Sequence, residues 1–269
     1  MKKIGVMINE KKLKIAFCFS TEIRDGHLLH ESIKSFMQNG NGFELDIDYY
    51  LHTWDHTYLK DHNKWNDSIA NGSLKEGEFK RRRTDLKTPI DFSKLNKFLN
   101  VYNIKKHRID NENTHLEPLK EASYCHFNLD YLWESLWLCF ELLEEEYDIV
   151  VYCRPDICFH PNIKFVDYIE EHLKTINDTI FHHEMFLFLS TYANIKTMLT
   201  KIKTEFTADI IHSEKMIDWR GPKVFEKLGF KQKEFAPSMF PGIVRPENLH
   251  LNPITEFDEF YRINKILYS

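Results

Sequence analysis

The stretch Tyr147–Phe159, YDIVVYCRPDICF, decides how the rest of the chain is read. After one acid it sets Ile149, Val150, Val151, Tyr152 and Cys153 in a row, β-formers with no polar residue between them. A short run that is apolar on both faces is the pattern of a strand buried inside a parallel sheet. The run leads directly into Arg154-Pro155-Asp156, so two charged side chains arrive at its carboxyl end. Two residues apart, they share a side if the chain stays extended. Pro155 stiffens the turn and removes a backbone donor. An aspartate in that place suits a divalent cation, and the planar fork of an arginine suits a phosphate. A strand-end ion pair that merely satisfies itself is the plainer alternative, and on these residues both stand.

Working outward, Lys14–Ser20 (KIAFCFS) repeats the buried-strand pattern. A polar loop, Thr21–Gly26, precedes a helical pattern carrying Leu28, Leu29, Ile33, Phe36 and Met37, with a stop at Asn39–Gly42. Asp46–Leu51 reads as a second strand ending in His52-Thr53-Trp54-Asp55. That is one β-α-β unit with polar groups at the carboxyl ends of both strands, where open α/β sheets bind ligands. Residues from about 56 to 118 form a polar insertion with short helices and one strand near Phe98–Ile104. Its Lys80–Arg83 run reads as a solvated face. Glu121–Glu146 is a long helix dense in aromatics, Val166–Ile176 a helix, Met185–Leu189 a strand and Ala193–Phe206 an amphipathic helix. A further helix within His212–Leu228 ends at Gly229, and from about 237 the tail is irregular. Strands alternating with helices predict one three-layer α/β domain over residues 1–269 with a mostly parallel central sheet.

Composition narrows the function. The 269 residues, 42% hydrophobic and 29% charged, are enough to bury a core and exclude a disordered chain. A net charge of -5 argues against a nucleic-acid partner, and no stretch is long enough to span a bilayer. The apolar run after Lys2 and Lys3 is too short for a secretory leader. The five cysteines form no C-x-x-C pair, so reduced, buried thiols in a cytoplasmic protein are expected. Zinc at His182-His183-Glu184 is not expected, because adjacent histidines on an extended segment face opposite ways.

The chain resembles glycosyltransferases of the GT-A fold, the nucleotide-diphospho-sugar transferases. In that family the last acid of a D-x-D motif at a strand end holds Mn²⁺ or Mg²⁺ against the donor diphosphate. More narrowly it looks like a branch of bacterial and viral sugar transferases, through Arg24, His52-Thr53-Trp54, Tyr147-Asp148 and Arg154-Pro155-Asp156 with Phe159. The resemblance spans roughly residues 13 to 230. It implies a GT-A-like domain that moves a sugar from a nucleotide-sugar donor to a glycan or lipid-linked acceptor, in surface polysaccharide or glycoconjugate synthesis. The work would be cytoplasmic, with peripheral membrane contact at the inner face where the acceptor is a lipid.

The same resemblance implies site residues. Ser20, Thr21 and Arg24 would meet the nucleotide, unless the two hydroxyls cap the following helix. Trp54 would stack on the base unless it is core, with His52 beside it, and Asp55 would accept from a ribose hydroxyl. Arg154 stands where the first Asp of D-x-D is expected. Either the cation rests on Asp156 with one further ligand such as His250, or Arg154 partly replaces it as counter-charge. Glu214, followed by Arg220 and Gly229, would be the base of an inverting reaction, with Asp218 and Glu184 as substitutes. Glu214 equally suits the first turn of a helix capped by Ser213. Asp156→Ala is then expected to abolish turnover with the melting temperature nearly unchanged. A nucleotidyltransferase is the rival enzyme, but Ser-Thr-Glu follows the first strand where it would carry a Gly-rich loop. A non-catalytic binding module is the other rival, favoured by Arg154.

Overall fold

In the computed structural model, residues 12–23, 26–59, 86–111, 114, 124–159, 163–172, 175–183, 187–205, 222–235 and 242–243 are described. A seven-stranded sheet organises them. Its strands, in chain order, are β1 (Lys12–Ser20), β2 (Glu44–Trp54), β5 (Lys106–Asp110), β6 (Ile149–Cys153), β8 (Thr179–His183), β9 (Leu187–Thr191) and β10 (Lys231–Glu234). Across the sheet they run β10-β8-β9-β6-β1-β2-β5. All neighbours are parallel except β9, which runs antiparallel to both β6 and β8. Only three residues of sequence separate β8 from β9, too few for a parallel crossover, which needs a dozen or more. Two short pairs flank the sheet: β3 (His56–Leu59) with β4 (Leu86–Pro89), and β7 (Ile157–Cys158) with β11 (Gly242–Ile243).

Alternation along the central strands builds two cores. Leu13, Ile15, Phe17 and Phe19 of β1 and Ile149, Val151 and Cys153 of β6 face one layer. That layer holds α1 (His30–Phe36), α2 (Phe92–Tyr102) and α4 (Phe165–His172), through Ile33 and Phe36, Leu95 and Phe98, and Phe165 and Ile169. Ala16, Cys18, Val150 and Tyr152 face the other layer, made of α3 (Tyr124–Phe140), α5 (Tyr192–Glu205) and α6 (Pro222–Lys227). Strands apolar on both faces therefore lie between two helical layers, as parallel sheets require. Asp148 sets the β1/β6 register: its carboxylate accepts from the Lys14 N–H at 2.8 Å, and its own N–H donates to the Lys14 carbonyl at 2.9 Å.

The expected strand near Phe98–Ile104 is helix. Asp91 caps α2 by accepting from the N–H groups of Ser93 and Lys94, and Leu95, Phe98 and Tyr102 recur at helical spacing on its buried side. Asn103, with φ 49°, ends it in a left-handed turn. The strand comes one element later as β5, so the span read as an excursion supplies the sheet's edge. The helix expected over Glu121–Glu146 ends at Phe140, and β8 had no counterpart in the sequence reading, because Thr179, His182 and His183 masked a strand whose apolar centre is only Ile180-Phe181. Of the helix expected within His212–Leu228, α6 is the described part. No helix among the described residues is long and apolar enough to cross a membrane.

Candidate functional site

From β1 the chain passes through α1 to β2 and through α2 to β5, always on one face. It then crosses by α3 on the opposite face and re-enters as β6 on the other side of β1. The winding direction therefore reverses between β1 and β6, and outside the carboxyl ends at such a reversal lies the crevice where open α/β sheets take ligands. Thr21 follows β1 into this crevice and Arg154 follows β6.

The two loops pack tightly. A Cβ placed on Gly26 would stand 2.5 Å from the Pro155 carbonyl oxygen and 2.9 Å from Pro155 Cβ. Ser32 of α1 holds the far side of the Arg154 turn, its Oγ accepting from the Phe159 N–H at 2.7 Å. Phe159 stacks on Phe36 with ring centres 3.9 Å apart. The turn is thus anchored at both ends before any side chain acts.

Within the turn, Arg154 Nε donates to Asp156 Oδ1 at 2.9 Å and Nη2 donates to Oδ2 at 2.6 Å. This is a two-pronged charged pair, the strong geometry for arginine and carboxylate. Asp156 is 2% exposed, while the Arg154 side chain keeps 19% of its surface in solvent. The pair therefore keeps part of its arginine in solvent and hides its carboxylate. The neighbouring Cys153 thiol is pushed well up by burial, so it stays protonated and is no nucleophile.

Of the residues expected to hold a divalent cation, the structure describes Asp156 alone. Both Asp156 oxygens are committed to Arg154, and no group of three His, Cys, Asp or Glu side chains lies together among the described residues. His250, the other expected ligand, lies outside them.

The remaining expected residues divide sharply. His52 and Trp54 are both 0% exposed and do not reach the crevice, which corrects their expected contact with a donor. The His52 ring lies edge-on to Trp54, centres 4.8 Å apart, so Trp54 is core and offers no face to a base. Their strand, β2, lies between β1 and β5, and α3 packs against its Tyr50 and His52. Ser20 is buried in register with His52. Among the described residues no helical turn precedes Gly26, and α1 starts from Leu29 with no side-chain cap, so neither Ser20 nor Thr21 caps it. Thr21 is half-buried with φ 89°, a backbone position that a β-branched residue rarely adopts. Asp55 is half-exposed at the end of β2, bonded to His56 Nδ1 at 2.6 Å and to Asn111 Nδ2 at 2.8 Å. Arg24, Glu184, Glu214 and Asp218 lie outside the described residues.

Sequence reasoning missed the residues that surround His52. Ser135 of α3 and Asp110 of β5 take its two ring nitrogens, at 2.7 and 3.2 Å. Arg108 grips Asp110 in turn, with Nη2 to Oδ1 at 3.1 Å and a second contact from Nε to Oδ2. The hydrogen bond from His52, with Arg108 beside it, holds the Asp110 carboxyl well below the usual carboxylate range. Ser, His and Asp are the residue types of a hydrolytic triad, but Ser135 is 0% exposed and its oxygen already accepts from the Thr21 N–H at 3.0 Å. It is a structural hydroxyl.

No protein-family model matches the chain, and no curated protein matches it in sequence. Among solved structures it is similar to the apo form of mouse xyloside xylosyltransferase 1, at 9% identity and a TM-score of 0.39, over 93% of this chain and 93% of that one.

Proposed function

We propose that this chain is a glycosyltransferase that moves a sugar from a nucleotide-sugar donor to a glycan or lipid-linked acceptor in surface polysaccharide or glycoconjugate synthesis. The observation that carries the reading is the Arg154–Asp156 fork, with its arginine partly in solvent, at the point where the winding of the sheet reverses. Its support from sequence is the RPD strand end and the HTW strand end already described.

In this reading Arg154 is the counter-charge of the donor diphosphate. Negative charge grows on the leaving phosphate oxygens as the bond to the sugar breaks, and a pre-aimed cation lowers that barrier. Asp156 holds the guanidinium plane through Nε and Nη2, which fixes the orientation in which Arg154 would meet the phosphates. Arg24 is the second phosphate contact, with the Thr21 turn and Asp55 on the nucleoside side. Glu214, with Asp218 behind it, deprotonates the acceptor hydroxyl; Glu214→Gln should lower transfer by orders of magnitude with donor binding retained. The enzyme acts in the cytoplasm, at the inner face of a membrane when the acceptor is a lipid.

The same closed ion pair favours a second reading, a nucleotide-sugar-binding module without turnover, because the pair is satisfied with no ligand present. Both readings meet one experiment. The chain is screened by thermal shift against UDP, GDP, CMP and dTDP, each with Mn²⁺, Mg²⁺ or EDTA. A ligand at one hundred times its Kd stabilises the native state by about 2.7 kcal/mol. A selective shift that persists in EDTA supports the site, and hydrolysis of the matching nucleotide sugar separates enzyme from module. No shift with any nucleotide refutes both.

A further inference from the structure

Beneath the Thr21 turn runs a buried line of hydrogen bonds that crosses three elements. The Thr21 N–H donates to Ser135 Oγ at 3.0 Å, Ser135 Oγ lies 2.7 Å from His52 Nδ1, and His52 Nε2 lies 3.2 Å from Asp110 Oδ2. Ser135 and His52 are fully buried, and the Asp110 side chain is 16% exposed. Asp110 is ionised, so it can only accept, and the proton of a neutral His52 must sit on Nε2. That leaves Nδ1 as an acceptor, which draws the Ser135 hydroxyl proton toward it. The Ser135 lone pair is then aimed at the Thr21 N–H. With a neutral ring the line has one consistent polarity, set from its carboxylate end, where Arg108 holds Asp110 and also donates to Glu141 at 3.2 Å.

The end of the line is where the backbone is strained. Thr21 has φ 89°, and a non-glycine residue persists in such a conformation only where its surroundings over-determine it. The conformation turns the chain out of β1 at the edge of the crevice, two residues before the buried Ile23. The line ends on one amide through Ser135, with His52 and Asp110 in series behind it, and that amide belongs to the strained residue.

We propose that Asp110, His52 and Ser135 are positioning residues that hold Thr21 in its left-handed turn and thereby shape the nucleoside side of the crevice. The inference rests on the function proposed above for its ligand, but not for its geometry. The positioning acts through the backbone of Thr21, so it depends on the residue there resisting positive φ. Glycine adopts that φ without a Cβ penalty and should make the line dispensable.

The test uses Ser135→Ala, Thr21→Gly and their combination in the full chain, with His52→Phe as a second break in the line. Two readouts are taken: hydrogen exchange at the residue 21 amide, and affinity for whichever of UDP, GDP, CMP or dTDP binds the unaltered protein. Ser135→Ala should speed exchange at Thr21 and weaken the nucleotide by about tenfold, the order expected for one lost buried hydrogen bond with release of the turn. In the Thr21→Gly background the same change should cost no more than about twofold, because the turn no longer needs holding. His52→Phe should reproduce Ser135→Ala. Unchanged exchange at Thr21 in Ser135→Ala overturns the proposal, as does an equal affinity loss in both backgrounds. If no nucleotide binds the unaltered protein, the proposed function falls while the exchange measurement still judges the line.

Discussion

Replacing Asp156 with alanine removes one half of a pair whose other half cannot follow it into solvent. The carboxylate is 2% exposed and accepts both prongs of Arg154, at 2.9 and 2.6 Å. Breaking a buried pair from one side costs about 3–5 kcal/mol, because the remaining charge is left uncompensated. The Arg154 side chain keeps 19% of its surface in water, which places Asp156→Ala at the lower end, about 3 kcal/mol. At about 2–4 °C per kcal/mol for a chain approaching this size, the melting temperature should fall by roughly 6–12 °C. The sequence alone gave the opposite expectation, an unchanged melting temperature, and burial is what reverses it. Arg154→Met should cost more, since it strands the more deeply buried partner. Combining Arg154→Met with Asp156→Leu should recover stability to within about 1–2 kcal/mol of the unaltered protein, because an apolar pair carries no desolvation penalty. Nucleoside-diphosphate affinity should not recover with it. Urea denaturation and thermal-shift titration read the two quantities separately. An Asp156→Ala variant melting within a degree of the unaltered protein would refute the pairing, and a double variant that still binds nucleotide would refute the role of Arg154.

Gly26→Ala should destabilise the fold by about 1–3 kcal/mol and loosen the Arg154 turn, because its Cβ would meet the Pro155 carbonyl oxygen at 2.5 Å. Gly229→Ala is the control in open space, paying only for its φ of 82°, about 1 kcal/mol by urea denaturation. Burial lowers the pKa of His182, so its contribution is complete above the unfolded value near 6.5 and declines as pH falls from there toward the folded value. Removing it with His182→Gln should flatten the stability profile just below pH 6.5, measured by denaturant titration at each pH. The Asp110 carboxyl is also depressed, so its contribution holds above the unfolded value near 3.9 and is lost as pH falls below it. An Asp110→Asn variant should show a shallower acid limb below pH 4, and an unchanged limb would contradict the His52–Asp110 bond.

Sequence by itself determined the layers of this protein. The runs at Ile149–Cys153 and within Lys12–Ser20 are apolar on both faces, and only a sheet covered on both sides can bury them. The placing of Arg154 and Asp156 at a strand end, and the helices after β1 and β9, were legible for the same reason: periodicity is local. Tertiary structure alone decided the rest. The segment around Phe98 reads as a strand in the sequence, yet it is helix, with Leu95, Phe98 and Tyr102 packed into one core. His52 and Trp54 look like ligand-facing polar and aromatic residues at a strand end, yet both are fully buried, and His52 is bonded to Ser135 of α3. The helix comes from about 80 residues further along, and no local pattern announces it. Ser135 and Asp110 carry no motif at all. They are brought to His52 by the crossing of α3 over β2 and by the register of β5, because a hydrogen-bond line across three elements exists only once all three are in place.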